Sequence, residues 1–508
     1  MISSKHMQQP LRLALDPLLN ERYAPEIAWT WRYFLTGAGY AWHVCGLDEP
    51  CDIAYVADPQ RAPHARLVIQ ATPRLWERRS APRLAGVAAA EGFTYPLYDG
   101  ERPDERLIVV EQGRTIINRD IVFDVFWVLT GQEEAHFPKN RHGYVDLTGT
   151  PYLDEQTLRK GLASGMGARF EQLLGETGMP PGEPRWPHGK RAAAALSHDV
   201  DYPEVVRWIE PLRVLMRQGM RGLPAAIGVL TGKRHHWQFD SWLALEHDLG
   251  VQSVFYFVAR RGSLHEYALG TPDSFYDIRA PHFRALFRTL IDAGCEIGLH
   301  SSYNACASIE QFAREKRLLE EVTGVPIMGN RHHYWHLDPV SPEATLAIHE
   351  QLGFAYDASL THDRYIGWRR GSCWPFFPLI QQERRELRTL QLPTGWMDSQ
   401  LFLQRDANPG SPDTVLRALA DQTAAQGGML LVNVHDYVFD DALFPGWAAT
   451  LRRLWDYLTT RSDFWMAAPA EIAAHWHARY RRLRASSVGL ELEGGGGAAL
   501  SLGHAIAR

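Results

Sequence analysis

The sequence predicts an α/β protein built on parallel strands, and three observations carry that prediction. From residue 191 to about 480, apolar runs alternate with helical segments, as in GVQSVFYFVA, then PHFRALFRTLIDAG, then CEIGLH, which is a βαβ rhythm. Several of these runs stop at polar residues: RAAAALSHDVD at Asp199 and Asp201, CEIGLH at His300, VPIMGN at Arg331, His332 and His333, MLLVNVH at His435. In a parallel barrel or an open parallel sheet the C-terminal strand ends share one rim, so such residues can line one pocket. Finally, 508 residues exceed one ordinary core, so a second unit is expected.

That unit is residues 1–134, a smaller α/β layered domain. RLAL, CDIAYVA, ARLVIQA and ERLIVVE read as buried strands, while PEIAWTWRYFLTG and RDIVFDVFWVLTG carry apolar residues at helical spacing. It shows no GxGxxG or P-loop, so no nucleotide is expected there. Residues 135–190 read as a helix from Glu155 to about Leu174 followed by a linker, because GETGMPPGEPRWPHGK can neither continue a helix nor enter a sheet. Residues 191–480 form the main unit. The Gly-rich stretch 481–508 is a mobile tail or a terminal hairpin.

Composition narrows the function. A 45% hydrophobic, 22% charged chain is a folded protein, and a net charge of -6 with dispersed Lys and Arg offers no footprint for nucleic acid. No run reaches the ~18–20 apolar residues of a membrane span, and the start lacks the pattern of a secretory signal, so a cytoplasmic location is expected. Five cysteines without a CxxC pair suggest neither a disulfide framework nor a cysteine zinc site.

The aspartate pair points to the chemistry. In an extended segment residues i and i+2 project to one side, so Asp199 and Asp201 share a small volume and repel unless a cation relieves them. A divalent metal would bind one carboxylate and leave the other as a base. Asp398 and Asp357 also end strand-like runs and are candidates to orient a catalytic group, whereas GKRHHWQFD, with His235 and His236, reads as a solvated loop.

SHDVD at 197–201, EIGLHSSYN at 296–304, NRHHY at 330–334 and LLVNVHDY at 430–437 together resemble the polysaccharide deacetylases of the NodB-homology type, a group of carbohydrate esterases, in that family's order. Residues 1–134 are similar to an accessory domain of one bacterial branch. The resemblance implies an irregular (β/α) barrel of the NodB-homology type. It implies Asp199 as catalytic base, Asp201 and His300 as metal ligands, Arg331 as the arginine that positions the base, and His435 as general acid. The usual second histidine, four residues after His300, is replaced by Asn304. An amide is a weak ligand for zinc-like ions, so His333, at i+2 from Arg331, is expected to complete an Asp201, His300, His333 set, with Asn304 or His198 as the alternatives.

The expected reaction is metal-dependent hydrolysis of an N-acetyl group on a sugar or glycan precursor by attack of metal-bound water, with zinc the first candidate. Asp199 would accept the water proton and His435 protonate the leaving amine. Tyr334, Trp335, Trp368, Trp374 and Trp396 belong to a dense aromatic stretch and are expected to stack on sugar rings. Two other readings are a hydrolase of a small, linear non-sugar amide and a catalytically silent carbohydrate-binding or scaffold protein. The oligomeric state is not legible.

Overall fold

A computed structural model describes residues 9–490 except 80–81, 104–105, 141, 155–156, 205–206, 264 and 267–272. The Gly-rich stretch from 491 onward, where a tail or hairpin is expected, lies outside the described residues.

The first layer is a six-stranded sheet ordered β2-β1-β3-β4-β8-β7, built from β1 (Leu11–Leu15), β2 (Trp42–Cys45), β3 (Cys51–Val56), β4 (Ala65–Gln70), β7 (Ile108–Glu111) and β8 (Arg114–Ile117). All pairs are parallel except β7 with β8. A separate hairpin joins β5 (Leu84–Ala90) to β6 (Phe93–Tyr98). Its LAGVAAA strand is poor in β-formers, which hid it from the sequence reading. The two-residue turn Glu91–Gly92, with both φ positive, defines it instead. The helix Pro17–Ala38 covers the sheet, started by Asp16 accepting from the Leu18 N–H and stopped by Gly39 at φ 87°. Helix Ile121–Leu129 is buried on all sides, as its nearly unbroken apolar text requires.

The second sheet is parallel throughout. Its strands are β9 (Ala192–Val200), β10 (Ser253–Phe257), β11 (Glu296–Ser301), β12 (Gly329–His332), β13 (Tyr356–Asp357), β16 (Leu390–Gln391), β17 (Thr394–Met397), β18 (Met429–Asn433) and β19 (Phe464–Met466). They run in the order β16-β13-β12-β11-β10-β9-β18-β17, with β19 also on β9, while β14 (Leu379–Ile380) and β15 (Arg385–Glu386) form a small antiparallel pair apart. Every residue of β9 is buried, the burial expected of a continuous apolar strand covered on both faces.

The two edge strands of this path, β16 and β17, are only two residues apart in the chain. Three Cα steps keep their ends within about 11 Å, so the sheet must curl. Since β16 and β17 do not pair, closure is incomplete. The result is the irregular α/β barrel expected, preceded by the smaller layered domain.

The stretch 135–190 is no free linker. Its helix, Leu162–Glu176, starts later than expected because Gly161, at φ 59°, separates it from the short turn Thr157–Lys160. Gly167 of that helix and Gly37 of the first helix approach the Trp374 ring so closely that a Cβ would come within 2.5 Å and 2.1 Å of it. Trp29 Nε1 donates to the Phe377 carbonyl at 2.8 Å and Trp186 Nε1 to that of Gly427 at 2.8 Å. One apolar core therefore runs through both sheets.

Candidate active site

The C-terminal ends of β9, β11, β12 and β18 bring together the residues singled out in the sequence. Asp199 lies in β9 with Asp201 just beyond it; His300, one residue before the end of β11, lies beside Arg331 of β12, its register partner; His435 follows β18. Asp201, His300 and His333 converge so that their ligand-type atoms lie within 4.8 Å of one another. His300 Nε2 is 3.2 Å and His333 Nε2 3.7 Å from Asp201 Oδ1. Donors around a tetrahedral ion with bonds of ~2.0–2.1 Å are about 3.3 Å apart, so the spacing fits a zinc-sized cation.

The far sides of these rings are already anchored. His300 Nδ1 is 2.8 Å from the Arg331 carbonyl, and His333 Nδ1 is 3.2 Å from Asp273 Oδ1. Those contacts orient both Nε2 atoms inward, as outer partners of metal-binding histidines do. The facing atoms Asp201 Oδ1 and His333 Nε2 are buried and have no hydrogen-bond partner. Unsatisfied buried polar atoms are costly, and a cation between them would remove that cost.

The alternatives for the third position are placed differently. Asn304 is exposed at the start of a 3₁₀ turn. His198 is buried with Nδ1 on the Val434 carbonyl and Nε2 on Glu246, both at 3.0 Å, so neither nitrogen is available.

Asp199 is held differently. Arg331 Nη1 donates to its Oδ1 at 2.9 Å and Asn433 Nδ2 to its Oδ2 at 2.7 Å. The same Nη1 contacts Ser197 Oγ and Asn433 Oδ1, each at 2.8 Å. Burial opposes the charge of Asp199, yet Arg331, then His300 and His435, hold its carboxyl below the ordinary value. Burial likewise opposes ionisation of Asp201, and the surrounding imidazoles, His333 first, outweigh it. Burial would lower His333, but the Asp201 charge and the Asp273 contact raise it to about 10. A carboxylate that draws protons onto its neighbours this way would exchange them for a metal cation.

His435 is fixed by Asp398, which accepts from the His435 backbone N–H at 2.8 Å and from Nδ1 at 2.8 Å. Nε2 then lies 3.4 Å from Asp201 Oδ2. Asp357, the other candidate to orient a catalytic group, instead accepts from Ser359 and Asn330 beneath β12.

A cavity of about 510 Å³ opens beside this cluster, lined among others by Tyr334, Asp398, Tyr437, Tyr202, Arg217 and Trp447. Tyr334 and Trp335 hold positive φ, 57° and 50°, a conformation that costs bulky residues ~1–2 kcal/mol each. The kink sends Tyr334 into the cavity and Trp335 against Arg331, 5.3 Å from ring centre to guanidinium.

The expected sugar platform is corrected by this geometry. Of its five aromatics only Tyr334 lines the cavity; Trp335 is 5%, Trp368 and Trp374 0%, and Trp396 1% exposed, all core. Aromatic density marked the seam between the two sheets, where Trp374 stacks under Arg185, rather than a groove. His236, assigned to a solvated loop, is 4% exposed and lines the cavity with Nδ1 on the Tyr202 carbonyl at 2.9 Å. The sequence reading also missed Asp273 and Asn433. Asp273 lies on a loop with no strand-end punctuation, but Asn433 was readable as the residue two before His435 in β18.

No family model and no curated protein matches the chain. Among solved structures, it is similar to a protein assigned as a polysaccharide deacetylase from Mycobacterium smegmatis (22% identity, 58% of this chain and 93% of that one, TM-score 0.38). It is also similar to Puue allantoinase (19%, 60% and 96%, TM-score 0.39) and to a protein assigned as a polysaccharide deacetylase from Pseudomonas aeruginosa PAO1 (19%, 60% and 97%, TM-score 0.39).

Proposed function

We propose that the protein is a metal-dependent deacetylase that removes the acetyl group from an N-acetylated sugar or glycan precursor. The observation that carries this reading is the division of labour on one rim: a donor set with unsatisfied inward atoms, a carboxylate locked by an arginine, and an imidazole locked by a carboxylate. A divalent ion on Asp201, His300 and His333, zinc by the donor chemistry, would supply Lewis acidity toward the acyl oxygen and a nucleophilic water. Asp199, kept ionised by Arg331, takes the proton of the attacking water. His435, kept protonated beside Asp398, gives a proton to the departing amine, which leaves badly without one. Tyr334, Tyr437 and Trp447 offer rings for the apolar faces of a sugar. Five unpaired cysteines suit a reducing, cytoplasmic setting.

The test is acetate release from N-acetylglucosamine oligomers with and without a chelator. Ion-dependent release supports the proposal. Ion-dependent turnover confined to small amides or ureides would keep the chemistry and replace the substrate class. A protein that binds no ion and releases no acetate would be the silent binding protein instead.

A further inference from the structure

Among the described residues, large exposed apolar side chains concentrate in one place, the segment that follows β9. Helix Glu210–Gln218 buries Pro211 and Val214 and turns Leu212 and Met216 outward. Helix Leu223–Leu230 buries Ala225, Ala226 and Val229 and turns Ile227 outward. Trp208 is 85%, Met216 78% and Met220 77% exposed. Surface helices normally bury their large apolar residues. Here the smaller ones face the protein, while Leu212 and Met216, one turn apart on the first helix, and Met220, in the 3₁₀ turn that follows Gly219, are exposed.

The charge around this face is as lopsided. Residues 207–234 hold six basic residues, Arg207, Arg213, Arg217, Arg221, Lys233 and Arg234, against one acidic residue, Glu210, in a chain of net charge -6. Glu210 lies 2.5 Å from Arg217 and 3.8 Å from Arg213, and Arg234 pairs with Asp440. Lys and Arg that are dispersed over the whole chain are locally dense here. An apolar face with an exposed Trp and a basic surround complements the negative surface of a bilayer with anionic lipids.

We propose that this helical hairpin docks on an anionic lipid surface, with Trp208, Leu212, Met216, Met220 and Ile227 entering the boundary between headgroups and acyl chains. It lies in the interface and does not span, since helices of nine and eight residues reach only ~12–14 Å. Arg213 and Arg217 of the first helix line the cavity, so docking brings the cavity to the bilayer. If the deacetylase reading holds, saccharides borne on a membrane are then its preferred substrates.

The test is flotation of the full chain with vesicles of phosphatidylcholine, alone or with about one third phosphatidylglycerol. The chain is expected to float with the anionic vesicles, to be released by high salt, and to float several-fold less with phosphatidylcholine alone. The triple substitution Trp208→Ser, Met216→Ser, Met220→Ser is expected to cut flotation roughly ten-fold. These side chains are exposed, and far-ultraviolet dichroism checks that the variant is folded. Absence of flotation with anionic vesicles overturns the proposal, as does a folded triple variant that floats like the parent. A dimer seen by light scattering and lost in the triple variant, without flotation, would make the face a self-association surface and also overturn it. Flotation needs no catalysis, so this proposal and the deacetylase reading fail separately.

Discussion

Asp398 bonds both the backbone and the ring of His435, leaving one nitrogen to face the reaction. Burial alone would depress that imidazole, but Asp398 and then Asp201 lift it well above its ordinary value, so it carries a proton at neutral pH. Asp199, lowered by Arg331 against its burial, is ionised there. The two groups are therefore in working states together. The acid form of His435 is present below its raised pKa and lost as pH rises through it, so the alkaline limb of kcat/KM against pH is expected above the ordinary imidazole range. Asp398→Asn should move that limb down toward neutrality and lower the plateau about 10- to 100-fold; an unmoved limb would remove Asp398 from the account. Asp199, Asp201, His300, Arg331 and His435 were legible because each lies at or just past the end of an apolar run. Asp273 was not, because only the folded loop carries it to His333.

At the level of elements, two strand glycines shape the barrel interior. A Cβ on Gly298 of β11 would meet the Tyr256 ring at 2.4 Å, and one on Gly329 of β12 would meet that of Tyr356 at 2.1 Å. The tyrosines fill the space so made, their hydroxyls 3.2 Å apart and Tyr356 donating to Glu296 at 2.8 Å. Gly298→Ala or Gly329→Ala should therefore cost about 1–3 kcal/mol in denaturant unfolding, through overpacking. A cost near zero would mean the rings swing aside freely. The long strands and helices of the barrel were legible from periodicity. The two-residue strand β16 was not, since so few residues carry no period.

Across the whole molecule, the first domain is joined to the barrel by packing, with Trp374 clamped between Gly37 and Gly167. Gly37→Ala should lower the unfolding temperature by about 1–3 °C, the shift that overpacking of ~1–3 kcal/mol gives in a chain of this length, and leave ion binding at the rim intact. Loss of ion binding in that variant would tie the site to the junction. The sequence displayed two α/β units, and the prolines of 180–187 were read as a linker; in the fold that stretch is held by Trp186 and Arg185 on the Gly427 carbonyl. Local composition reports what a segment cannot form, and says nothing of what covers it. The central claim is that Asp201 anchors a cation while its neighbour Asp199 does not. Equilibrium dialysis against zinc tests it directly: one ion per chain is expected in the parent and in Asp199→Asn, and none in Asp201→Ala. A parent that binds no ion, or an Asp201→Ala variant that keeps it while Asp199→Asn loses it, would contradict the account.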